Sequence, residues 1–442
     1  MFPCFSILLG SLISYLTVVE AIPTISVTGS KFFTSNGTQW FIKGIAYQLD
    51  ENDPLVNTQQ CELDANLMKE LGANAIRVYH VDSSADHSGC MNAFADAGIY
   101  AFIDLDTFST YIRNGDEWSW TQDQSDSYQA VMDNFQKYDN VAGFYIGNEV
   151  LNNLNQSGAA PYVLKATADL KAYRDAQGYR KIPIGYSATD TSVLRPMLQD
   201  YVVCRPNTTE RLDFYSLNSY EWCGSSPTYE SSGYVNLQAA AENYPVPIFF
   251  SEDGCNTVPP RTFDDQAAIF GSQMVNTWSG AIVYEWIEEL NNYGLVSYGP
   301  KRSVSVNEGS SVVQGVVREG TPTPVQPDFR NLQSQWAAIT PTGVSLSAYA
   351  ASVKTTAPEC PSSTASGWTV DPSAPLPTMG TASAASASQV NTTATASTAS
   401  ASSSSSGAAG QTAPNPLTSG DFGIAGMIAA LLAVGAGVVL LL

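Results

Sequence analysis

The stretch "FYIGNEV", residues 144–150, runs apolar from Phe144 to Ile146 and then ends in Gly147, Asn148 and Glu149. A second stretch, "IFFSEDGCN" at 248–256, behaves the same way: an apolar run, Ser251, then Glu252. A carboxylate closing a run that reads as a buried strand is a poor packing choice, because burying an unpartnered charge is costly. Two such strand ends suggest a working pair of carboxylates, if the fold brings them together.

Further short apolar runs fall at 41–47, 75–79, 100–105, 182–187, 212–218, 246–251 and 280–286, with the strand of the opening stretch at 141–147. Helical patterns, such as 61–72 and 127–139, lie between them. Strands alternating with helices predict an α/β fold, a (β/α)8 TIM barrel. Active sites of such barrels sit at the C-terminal ends of the strands. Glu149 then ends the fourth strand and Glu252 the seventh, and both face one mouth.

The ends of the chain read differently. An apolar core from Phe5 to Val19 precedes Ala21, the pattern of a secretory signal peptide over 1–21, although without Lys or Arg near Met1. The region 22–361 is then the catalytic domain. From Ser362 to Gly420 the chain is mostly Ser, Ala and Thr with Asp371 as its one charge, which reads as a disordered, O-glycosylated stalk. The hydrophobic tail at 421–442, without a charge from Phe422 onward and with small residues and a polar spacer upstream, fits a glycosylphosphatidylinositol (GPI) signal whose tail is removed. Ser406 or Gly407 is the expected attachment residue. The chain is expected to follow the secretory route to the outer face of the plasma membrane or the cell wall.

Of seven cysteines, Cys4 leaves with the signal, and Cys61, Cys90, Cys204, Cys223, Cys255 and Cys360 remain. An even number in a secreted chain implies disulfides without giving their pairing. Glycosylation sequons stand at Asn36, Asn155, Asn207 and Asn391. With 20 Lys and Arg against 41 Asp and Glu the net charge is −21, so nucleic acid is excluded as a partner. The spacing of the cysteines offers no zinc site, and no cofactor or metal is expected.

His80 and His87 are the two histidines, and neither lies in a nucleophile-elbow sequence. Two glutamates at barrel strand ends leave glycoside chemistry as the leading reading: one protonates the leaving oxygen, the other attacks the anomeric carbon. Asn148 is placed to hydrogen-bond a sugar 2-hydroxyl. Tyr79, Tyr220 and Tyr284 stand at neighbouring strand ends, where a tyrosine can orient a carboxylate or support a sugar ring. Asp104 ends the third strand and has two candidate partners, a sugar hydroxyl or Arg77.

The chain resembles the fungal GPI-anchored β-1,3-glucanosyltransferases, the Gas/Gel/Phr group of glycoside hydrolase family 72. The resemblance is carried by "FFTSNGTQWFIKGIAYQ" (32–48), "LGANAIRVYHVD" (71–82), "FYIGNEV", "DFYSLNSYEWCG" (213–224), "FFSEDGCN" (249–256) and "VYEWIEELNNYGLV" (283–296). It implies Glu149 as acid/base and Glu252 as nucleophile, with Tyr79, Asp104, Asn148, Tyr220 and Tyr284 contacting substrate. It also implies disulfides Cys61–Cys90, Cys204–Cys360 and Cys223–Cys255. The implied activity is cleavage inside a β-1,3-glucan and transfer of the new reducing end to another glucan chain, by a retaining mechanism. No Cys follows Cys360, which corresponds to the short form without a cysteine-rich carbohydrate-binding module. Asp253 stands after Glu252 where the family commonly has an aromatic, and Glu285 adds another carboxylate; either can alter the Glu252 pKa. A hydrolytic endo-β-1,3-glucanase and a non-catalytic glucan-binding wall protein are the alternative readings.

Overall fold

The computed structural model describes residues 21–50, 52–106, 110–112, 117–353, 355–363 and 367–381. Asn391, Ser406, Gly407, the tail at 421–442 and nearly all of the signal segment lie outside the described residues. So does the second of two compact units into which the chain divides, Ser388–Leu442.

A hairpin of β1 (Ile25–Thr28) and β2 (Lys31–Thr34) precedes eight parallel strands: β3 (Ile42–Ala46), β4 (Ala75–Val78), β5 (Tyr100–Asp104), β6 (Val141–Asn148), β7 (Ile184–Thr189), β8 (Phe214–Asn218), β9 (Ile248–Asp253) and β10 (Trp278–Val283). They pair in sequence order, and β10 returns to β3 to close the barrel. Helices α1 (Thr58–Leu71), α2 (Ser88–Asp96), α3 (Gln122–Phe135), α4 (Ala160–Ala176), α5 (Arg195–Cys204), α6 (Tyr234–Ala241) and α7 (Asp265–Ile269) fall between successive strands, and α8 (Asp328–Ala338) follows. The expected (β/α)8 TIM barrel is the fold. All eight expected strands are present.

The helices start earlier than their apolar periodicity suggests, because their caps are polar. Asn57 Oδ1 accepts the Gln60 backbone N–H at the head of α1, and Thr121 with Gln124 forms a reciprocal capping box on α3. At the other end of α1, Gly72 takes φ 95°, the left-handed turn that glycine accepts without a Cβ clash.

Inside the barrel the side chains form two layers. Toward the N-terminal ends of the strands, Phe102, Phe214 and Phe249 pack against one another at centroid distances of 5.4–5.7 Å, and Phe32 of the hairpin plugs the layer from below. Gly143 and Gly185 make room for these rings: a Cβ on Gly185 would lie 2.2 Å from a Phe214 ring carbon. Toward the C-terminal ends the interior turns polar, with Arg77, Asp104, Ser187, Asn218 and Ser251 all buried.

The three disulfides are Cys61–Cys90, Cys204–Cys360 and Cys223–Cys255. The first joins α1 to α2, and the third ties the loop after β8 to the loop after β9, at the mouth of the barrel.

The domain boundary expected at 361 falls too early. Residues 367–381 pack on the barrel: the Trp368 indole is 0% exposed, with its ring 5.4 Å from Tyr201. The Ser157 and Thr369 hydroxyls are 2.8 Å apart, Arg205 donates to the carbonyls of Pro372 and Ala374, and Gly380 N–H donates to Trp120 O. Composition rich in Ser, Ala and Thr concealed one large buried ring.

Candidate active site

The mouth is organised around Arg77, at the end of β4 and 0% exposed. Its guanidinium forms a two-pronged pair with Asp104 (Nε–Oδ1 3.2 Å, Nη2–Oδ2 2.9 Å) and is sandwiched between the rings of Tyr79 and Tyr145 at 4.2 and 4.3 Å. Burial disfavours its charge, but Asp104 and the two tyrosines more than offset that and hold it cationic. It also donates to Ser187 Oγ (3.0 Å), Asn148 Oδ1 (3.0 Å) and Glu252 Oε1 (3.5 Å).

Asp104 therefore has Arg77 as its partner. With 1% of its surface exposed, it lies under the mouth, and the expected contact with a sugar hydroxyl is replaced by support of the guanidinium.

Glu252 reaches the mouth because β9 breaks its alternation. Phe249 and Ser251 face the barrel interior, so strict alternation would turn Glu252 outward with Phe250. A register shift between the Leu217–Phe250 and Asn218–Glu252 pairs inserts a bulge. Glu252 turns inward and Asp253 turns out toward α7, where Gln266 Nε2 donates to it at 2.7 Å. Both Glu252 oxygens have donors: Tyr79 Oη to Oε1 at 2.9 Å and Tyr220 Oη to Oε2 at 2.8 Å. Burial pushes the Glu252 carboxyl up to about 7, the Glu149 charge adds to this, and Arg77 and the two tyrosines pull it back.

Glu149 follows β6, which also shifts register, between Tyr145 and Asn148. Its φ is 47°, the left-handed region that a glutamate rarely occupies, and its backbone N–H is fixed by Ser187 O at 2.9 Å. Asn218 Nδ2 donates to Glu149 Oε1 at 2.9 Å. Burial raises the Glu149 carboxyl, while Asn218 and Arg77 oppose the rise. The two glutamates lie within electrostatic reach of each other and of the same guanidinium, so the fold brings the pair together. Glu252 accepts from three groups, Tyr79, Tyr220 and Arg77, and Glu149 accepts from the Asn218 amide.

Asn148 Oδ1 is anchored by Arg77 and by Asn218 Nδ2 (3.1 Å), which leaves its Nδ2 as the donor for a ligand. The Tyr284 hydroxyl accepts from Gln48 Nε2 at 3.0 Å, and Tyr293 packs edge-on against both Tyr220 and Tyr284. Glu285 is fully buried, where Asn291 and Gln48 donate to it at 2.7 and 3.3 Å. His87 joins no triad: its ring nitrogens meet Asp53 (2.7 Å) and Asn134 (3.2 Å), pinning the loop after β3 to the one after β4.

Gln48, Asn218 and Tyr293 are the site residues that sequence reasoning passed over. Asn218 had a signal: it ends the sixth strand as an amide, in the position where Glu149 and Glu252 end theirs. Among the described residues no cluster of His, Cys, Asp and Glu is arranged to hold a metal ion.

Comparison with known proteins gives the family. Residues 14–313 match the glycoside hydrolase 72 family, described as glucanosyltransferase. The 1,3-beta-glucanosyltransferase gas2 of Schizosaccharomyces pombe is 41% identical over 365 residues, covering 79% of this chain and 74% of that protein. The 1,3-beta-glucanosyltransferase PGA5 of Candida albicans is 40% identical over 349 residues; the match covers 74% of this chain and 51% of that longer protein. A Saccharomyces cerevisiae Gas2p mutant solved in complex with laminaritetraose and laminaripentaose superposes with a TM-score of 0.69 at 36% identity, covering 80% of this chain and 74% of that one. The chain belongs to the glycoside hydrolase 72 family of glucanosyltransferases.

Proposed function

We propose that this protein is a β-1,3-glucanosyltransferase that cuts inside a β-1,3-glucan and passes the new reducing end to the non-reducing end of a second glucan. The observation that carries the reading is a pair of buried glutamates fixed at one barrel mouth: Glu252 accepts from a tyrosine hydroxyl on each oxygen with Arg77 beside it, and Glu149 accepts from the Asn218 amide. One carboxylate to attack the anomeric carbon and a second to protonate the leaving oxygen is the division of labour of a retaining glycosidase.

In the first step a Glu252 oxygen bonds to the anomeric carbon as the glycosidic C–O bond breaks. The Glu149 proton goes to the departing oxygen. In the second step a hydroxyl of the acceptor glucan attacks the same carbon, gives its proton to Glu149 and releases Glu252. The Asn148 amide donates to the 2-hydroxyl of the sugar in transit. Transfer wins over hydrolysis when an acceptor subsite holds glucan in place against water. The tyrosine rings of the mouth, Tyr79, Tyr220, Tyr284 and Tyr293, supply faces for sugar rings.

Three disulfides support an oxidising, secretory environment, and Asn36, Asn155 and Asn207 are exposed as glycan acceptors must be. We read the chain as a fungal cell-surface protein held by a GPI anchor; release from membranes by a phosphatidylinositol-specific phospholipase tests that, and retention after treatment refutes it.

The activity is tested by giving the purified protein a reduced β-1,3-gluco-oligosaccharide. Products longer than the donor are expected. Shorter products alone make the enzyme a hydrolase, and no products from a folded protein make it a glucan-binding protein. Glu252→Gln is expected to abolish both cleavage and transfer.

A further inference from the structure

The orientation of one amide can be deduced from a group that cannot accept a hydrogen bond. Arg77 is donor-only, so the Asn148 atom 3.0 Å from its Nη2 must be the oxygen. The Asn218 atom 3.1 Å from that oxygen must then be nitrogen. The other face agrees: Asn218 Oδ1 lies 2.8 Å from Ser187 Oγ and 2.9 Å from Ser251 Oγ, two hydroxyls able to donate to it. Arg77 Nη1 in turn donates to Ser187 Oγ, which leaves the Ser187 proton directed toward its other neighbours. The Asn218 amide is thus locked on both sides. Its two N–H groups go to Asn148 Oδ1 and to Glu149 Oε1, the latter at 2.9 Å.

We propose that Asn218 is a positioning residue that, by donating to Oε1 of Glu149, confines the acid proton of Glu149 to Oε2. An oxygen that accepts an N–H at this distance cannot also carry a proton pointed along the same line. The proton that leaves for the glycosidic oxygen in the first step, and the one taken from the acceptor hydroxyl in the second, therefore both use Oε2. The chain of donors starts at Arg77, which also touches Glu252, so the same cation orients the acid and supports the nucleophile. This inference rests on Glu149 being the acid/base.

The test compares Asn218→Ala and Asn218→Asp with Glu149→Gln on two donors: a β-1,3-gluco-oligosaccharide, whose departing oxygen needs a proton, and a nitrophenyl β-1,3-oligoglucoside, whose leaving group does not. For Asn218→Ala, kcat on the oligosaccharide should fall by about 10- to 100-fold with little change in KM. Release of nitrophenolate in the first turnover should fall far less. The alkaline limb of kcat/KM should move to higher pH, because Glu149 loses a donor that favours its anion. Should the alanine variant fail to fold, the near-isosteric Asn218→Asp serves; its carboxyl shares a proton with Glu149, and the alkaline limb should again move upward. An unmoved limb with equal losses on both donors means that Asn218 is structural only, and overturns the proposal. Full oligosaccharide turnover by Glu149→Gln removes the acid/base assignment and the proposal with it. Loss by Glu149→Gln with nitrophenolate release preserved, beside an unmoved limb in the Asn218 variants, removes only the role of Asn218.

Discussion

The two ends of the barrel interior are built from opposite materials. Below, four phenylalanines from β2, β5, β8 and β9 fill the space, and glycines on β6 and β7 yield to them. Above, at the same radius, an arginine, an aspartate, two serines and two asparagines are joined by hydrogen bonds to two glutamates. The lower layer is held by shape, and its members need only volume. The upper layer is held by charge and direction, and each member fixes the next. Damage below should therefore cost stability and spare chemistry, whereas damage above should cost both.

The largest contrast is expected at Arg77. Arg77→Met strands Asp104 as a buried, unpaired carboxyl and should lower stability by about 3–5 kcal/mol in denaturant unfolding, with activity lost in the fraction that still folds. Retained activity would mean that the upper layer is a scaffold only. Gly185→Ala forces a Cβ into Phe214; overpacking should cost about 1–3 kcal/mol while kcat per folded molecule stays at the wild-type value. A large fall in kcat there would erase the distinction between the layers. Tyr220→Phe keeps the ring and removes one donor from Glu252 Oε2. A hydrogen bond to a charged group is worth about 1.5–3 kcal/mol, so kcat/KM should fall by about 10- to 100-fold. The acid limb of the pH profile should shift upward, since the Glu252 anion has lost support.

The smallest effect is spread over the whole chain. Burial raises Asp64 to about 6, Glu252 to about 7, and Asp106 to about 8. Each binds its proton more tightly folded than unfolded. Between the ordinary carboxyl range and these raised values the native state holds more protons, so stability falls as pH rises. The midpoint of thermal unfolding should be higher near pH 5 than near pH 8. The opposite slope would mean that the paired carboxylates dominate.

Much of the fold was legible because each strand is a compact apolar run between helical patterns. The two glutamates were legible for the complementary reason: carboxylates closing such runs conflict with burial. The bulges were not legible. Alternation assigns Glu252 to the outer face with Phe250, and only the register shift against β8 reverses that. Nor could spacing distinguish the two possible partners of Asp104, since the choice depends on how deep Arg77 lies. The boundary at 361 failed because composition averages over a window, and one Trp368 can bury itself among many Ser and Ala. Asn218 needed the three-dimensional chain of donors before its role had meaning.

The segment 367–381 gives the barrel a grip on its own C-terminal side. A pull applied beyond Thr381 meets the Gly380–Trp120 peptide hydrogen bond first, then Arg205 holding two carbonyls, then the Trp368 ring wedged by Tyr201. Thr369 also leans on Ser157, in the helical turn that follows Glu149 by a few residues. Tension is thus taken up in series at the barrel wall, and behind the indole the Cys204–Cys360 disulfide ties the chain covalently to the end of α5. A molecule dragged by its end would bear the strain as a cleat bears a rope, with a covalent stop behind the wedged indole.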